Sequence, residues 1–163
     1  MLYSSYLELV RTKLLKGHFA LQDIPNLPLY PVDLIAQKKE LIGNAMYQYT
    51  CSLGFFPQID IETISEFSEA TRTLSSGYRG DLHWNEFVVL YVFPVLVASR
   101  IDGKTKNFIQ SYKHQSLANL EWVHPVLAEL MSSEVFHNTK RSIVGYADAR
   151  RSRKVASELF AFD

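Results

Sequence analysis

The chain has a single cysteine, Cys51, in 163 residues. That excludes an intrachain disulfide and any zinc site built on several thiolates. Glycine is scarce, at seven residues. None of these falls into G-x-x-x-x-G-K-[ST], or into G-x-G-x-x-G behind a strand, so phosphate-cradling loops are not indicated. G-x-S-x-G, H-E-x-x-H and EF-hand patterns are missing as well. Net charge is also lacking, because 17 basic residues balance 17 acidic ones. A neutral chain gives no reason to expect nucleic acid or an anionic membrane as partner. The longest apolar run, 87–98, is shorter than the roughly 20 residues a bilayer helix needs. The opening MLYSSYLELV lacks the basic n-region and cleavage site of a secretory signal, so a soluble cytoplasmic protein is expected.

What is present fits a globular chain. At 47% hydrophobic and 21% charged, it lies well away from disorder. Its length suits one domain, 1–163, that buries roughly 70% of the unfolded surface. Residues 4–16 read as a helix with a stripe of Leu7, Val10, Leu14 and Leu15, stopped at Gly17. Pro25, Pro28 and Pro31 make an extended loop. A second helix is expected from Val32 to Ser52, with Pro31 at its start, and a third over 61–74, burying Ile64, Phe67, Thr71 and Leu74.

The run FVVLYVFPVLVA at 87–98 suits either a buried helix kinked at Pro94 or a pair of buried strands. Its length favours the helix. Asp102-Gly103 carries a hairpin signal, which leaves room for one short β-hairpin around 95–109. Weak helical character follows over 107–120, then helices over 126–137 and 147–162. The expected fold is therefore all-α: a compact bundle of about five to seven helices around a central apolar helix near 84–101.

Two Glu-x-x-His pairs stand out, Glu121/His124 and Glu134/His137. On helices this spacing brings both side chains to one face, as in carboxylate-bridged di-metal bundles. These four residues are the candidate metal ligands, although Pro125 and the short separation speak against a ferritin-like arrangement. His83 and Glu86, with Arg79 and Asp81, sit in YRGDLHWNE and are the candidate acid–base group. A helix N-terminus and a turn explain most of that segment. Cys51, among aromatic and aliphatic neighbours, reads as a small buried hydrophobe rather than a nucleophile.

Two charged surfaces complete the inventory. Glu62, Glu66 and Glu69 recur at i, i+4 and i+7, an acidic stripe whose natural partner is a basic protein. Arg150, Arg151, Arg153 and Lys154 form a basic segment that can neutralise phosphates, but no nucleic-acid fold pattern supports it. The nine tyrosines suit either a core or an interface. The expected function is a protein-binding module, either inhibitor or immunity-type or an adaptor, with homo-oligomerisation a further option and no cofactor. A small metal-dependent or acid–base enzyme is the alternative. Nucleic-acid binding through the C-terminal basic helix is third.

Overall fold

Residues 32–52, expected to form one helix, turn back on themselves at Gly43. They form β2 (Leu34–Ile42) and β3 (Ala45–Phe55), paired antiparallel from Leu34↔Leu53 to Ile42↔Ala45. Gly43 holds φ at +62°, the left-handed backbone a two-residue hairpin loop needs. In this computed structural model residues 1–24, 30–78, 87–112, 114–116, 120–140 and 146–163 are described. The remaining strands are β1 (Ala20–Gln22), β4 (Phe87–Ala98), β5 (His114–Ser116), β6 (Glu121–Val123), β7 (Val126–Glu129) and β8 (Glu134–His137). The helices are α1 (Tyr3–Lys16), α2 (Ile61–Gly77), α3 (Gly103–Ser111) and α4 (Tyr146–Phe160).

The fold is α/β, not an all-α bundle: the described residues hold four helices around one mixed sheet of eight strands. Antiparallel β1 and β2 form one side of it. β3, β4 and the β6/β7 line are parallel, and β5 and β8 pair antiparallel with β6 and β7. The apolar run at 87–98 is thus the central strand, not a central helix. Parallel neighbours flank it and helices cover both faces, which is why it reads as continuously hydrophobic.

The expected hairpin at 95–109 is absent too. Asp102 caps α3 instead, accepting from the Thr105 backbone N–H at 2.9 Å and from its hydroxyl. The helix expected over 126–137 is the β7–β8 hairpin, with Ser133 at φ +54° in its turn. Helical character after Asn107 ends at Ser111, and β5 follows. The expectations for α1, α2 and α4 agree with the observed helices.

Two cores result. Tyr6, Val10 and Leu14 of α1, with Ala156, Leu159 and Phe160 of α4, cover the sheet face that carries Cys51, Tyr91, Phe93 and Val126. Ile64 and Phe67 of α2, with Ile109 of α3, cover the face that carries Leu96, Ala98 and Leu127. Both parallel crossovers place their helix on that second face.

One irregularity positions the histidines. β4 pairs with β6 over Leu90–Val92 and with β7 over Val95–Ala98, at the same offset on both sides of the gap. Pro94 therefore lies level with Pro125, so two residues without an N–H share the break and leave no donor stranded there. His124 lies level with Phe93, its ring 6.1 Å from the Phe93 ring.

Candidate functional site

Glu121, Glu134 and His137 lie on strands, and His124 directly follows β6 with its N–H donating to the Val92 carbonyl at 2.8 Å, so side chains three apart point to opposite faces. Glu121 faces α2 and meets Arg72 at 3.2 Å. Glu134 is exposed and borders a cleft that also takes in Arg100 and Lys106. His124 and His137 both point the other way, towards α4. There the histidines meet, His124 Nε2 lying 3.1 Å from His137 Nδ1. The four candidate ligands thus separate by face, two histidines on one side and two carboxylates on the other. Among the described residues no group of three or more His, Cys, Asp or Glu is arranged to hold a metal ion. Cys51 is fully buried, and burial pushes its thiol up, away from the reactive thiolate.

α4 supplies a serine to each ring. Ser152 Oγ is 3.4 Å from His124 Nδ1, and Ser157 Oγ is 3.3 Å from His137 Nε2. Burial, the facing His137 and Arg153 hold His124 down to about 3. Burial also lowers His137; the Asn138 carbonyl opposes this and Arg153 reinforces it. Nothing in the sequence marked Ser152 or Ser157, because the contact joins α4 to two strands remote in the chain.

Arg79, Asp81, His83 and Glu86 lie outside the described residues. The cleft beside Glu134 opens near the carboxyl ends of β4 and β7, where α/β sheets often bind ligands. Its central carboxylate is already engaged. Glu129 accepts from Lys106 Nζ at 2.9 Å, from the Ile101 N–H at 2.7 Å and from Ser132. Burial works to raise its pKa, but these donors win and hold it at about 2. The arrangement clasps α3 to the strand ends.

The acidic stripe occupies the outer side of α2, with Glu62, Glu66 and Glu69 all exposed. Glu69 is held by Arg72, and Glu66 lies 3.4 Å from the Tyr30 hydroxyl. Alongside runs a groove of about 970 Å³, lined by Tyr30, Ala70, Thr73, Leu74 and Tyr78 with Glu66 and Glu69 at its rim. Leu74, expected in the core, is only half-buried and forms part of this groove. The stripe was legible as an i, i+4, i+7 pattern; the groove was not, since Tyr30 reaches it from a distant segment.

The basic segment divides. Arg151 lies over the Tyr47 ring at 4.5 Å, and Arg153 donates to the Lys140 carbonyl at 2.6 Å. Arg150 is exposed, while Lys154 pairs loosely with Glu158 at 3.7 Å. Two of the four cations are therefore turned to contacts within the fold, which breaks up a continuous phosphate-binding strip. The most exposed large apolar side chains, Leu2, Leu41 and Met131, belong to three different parts of the fold: the start of the chain, the β2–β3 tip and the β7–β8 turn. Singly exposed apolar residues are ordinary. No described helix is long and apolar enough to cross a membrane. Comparison with protein-family models, with curated proteins and with solved structures gives no match.

Proposed function

We propose that the chain, as a single domain over 1–163, is a protein-binding module of the inhibitor or adaptor kind. Its recognition surface is the outer side of α2. The observation that carries this reading is the pairing of an apolar groove, lined by Tyr30, Ala70, Leu74 and Tyr78, with a rim of Glu66 and Glu69 and with Glu62 on the same helix. Such a surface fits a basic amphipathic segment of a partner. Apolar anchors enter the groove, and lysines or arginines answer the carboxylates. The separation of Glu121 and Glu134 from His124 and His137 removes the main support for the metal-dependent alternative.

Affinity capture from the source cell tests it, comparing the native chain with Glu62→Lys/Glu66→Lys and with Leu74→Asp. The native chain retains a partner, both variants lose at least about tenfold of that binding, and the partner's bound segment is basic. Undiminished capture by both folded variants refutes the assignment.

A further inference from the structure

The hydrogen-bond chain through the two histidines has one self-consistent direction. Ser152 Oγ donates to the Ala149 carbonyl at 3.1 Å, because a carbonyl only accepts. A lone pair of that hydroxyl is therefore left for His124 Nδ1, so this nitrogen carries the proton. In a neutral ring His124 Nε2 is then bare, and it accepts from His137 Nδ1. The Asn138 carbonyl, 3.3 Å from the same His137 nitrogen, demands the same tautomer. His137 Nε2 is left as an acceptor, and the Ser157 hydroxyl donates to it. Both rings are held neutral by their burial, with Arg153 nearby adding to the effect.

Three members of the chain are buried: Ser152, His124 and His137 are 3%, 8% and 9% exposed. Ser157, at the other end, is exposed. It borders a pocket of about 440 Å³ lined also by Val135, His137, Ala161, Phe162 and Asp163. A hydroxyl bonded to a base whose other nitrogen is held by a third group is the arrangement of an activated nucleophile.

We propose that Ser157 Oγ is a nucleophile that takes an acyl group from small, uncharged, activated esters, with His137 as its base and His124 as a positioning residue. This site lies on the opposite side of the sheet from α2 and is independent of protein binding there. Ser157 Oγ attacks the ester carbonyl carbon, and its proton passes to His137 Nε2. The bond to the leaving alcohol breaks, and that proton goes to the departing oxygen. The products are acyl-Ser157 and the alcohol, with His137 neutral again. Val135, Ala161 and Phe162 favour an apolar acyl group, and Asp163 disfavours an anionic one.

The test is p-nitrophenyl acetate added to the full chain, with release of p-nitrophenolate followed and the acetyl group located by peptide mass spectrometry. The expected result is a stoichiometric burst with acetyl on Ser157. Ser157→Ala abolishes the burst, Ser157→Cys retains it, and His137→Gln slows it by about 100-fold. The rate rises with pH as His137 loses its proton. The groups facing that ring are His124, which follows β6, Arg153 and Ser157 of α4, the Asn138 carbonyl and Asp163 at the pocket edge. His124→Asn moves the midpoint of that profile while acetyl still reaches Ser157. Acetyl found on lysines or His18 with none on Ser157 overturns the proposal, as does a Ser157 rate no faster than that of the exposed Ser65. Both readings use the native chain, so a histidine variant that fails to fold does not decide the matter.

Discussion

A Cβ on Gly54 would lie 1.6 Å from the carbonyl oxygen of Pro31. The segment entering β2 runs hard against β3 there, with the Asp33 N–H donating to the Leu53 carbonyl at 2.8 Å. Gly54→Ala must push these backbones apart and should cost about 3 kcal/mol in urea denaturation. The histidine pair makes a second residue-scale prediction. Both rings have folded pKa values below the unfolded value of about 6.5, so below that pH the unfolded chain binds more protons. Their contribution is fully present above about pH 6.5 and falls away below it, that of His124 being lost as pH drops towards about 3. Stability measured by urea melts between pH 7 and 5, above the range where carboxylates titrate, should decline by up to about 1.4 kcal/mol per pH unit per histidine. His124→Gln should flatten that decline; an unchanged slope would mean that the ring is not held neutral.

At the scale of elements, Arg72 joins α2 to the sheet. It grips Glu69 within the helix and reaches the buried Glu121 of β6 at 3.2 Å. Arg72→Ala should lower stability by about 2 kcal/mol, whereas Glu69→Ala, which removes an exposed pair, should cost less than about 1 kcal/mol. Thermal melts of the two variants separate these contributions.

The elements also explain what could be read in advance. α1, α2 and α4 were legible because one face of each meets solvent, leaving a helical period; the cap that Asp60 makes on α2, accepting from the Thr63 N–H, emerged only from the structure. β3 and β4 were not, because a strand covered on both faces loses its alternation and resembles a buried helix. Two local signals carried the correct answer. Gly43-Asn44 is a hairpin dipeptide, and Tyr47, Tyr49 and Thr50 favour strands. The Glu-x-x-His pairs failed for the same reason: a spacing that unites side chains on a helix divides them on a strand. Their two histidines still converged, through a β7–β8 pairing that spacing alone does not reveal.

For the whole molecule, neutrality conceals an arrangement. The acidic stripe on α2 and the histidine relay against α4 lie on opposite sides of one sheet, so substitutions in one should leave the other untouched. The central claim, that α2 presents a docking groove for a basic segment, is tested most directly by photo-crosslinking. A photoreactive residue placed at Thr73, inside the groove, is compared with one at Glu158 on α4 in the source cell. The account predicts a discrete protein adduct from position 73, mapped to a basic amphipathic segment and lost with Glu62→Lys/Glu66→Lys. Identical adducts from positions 73 and 158, or an adduct at 73 that survives the charge reversal, would contradict it.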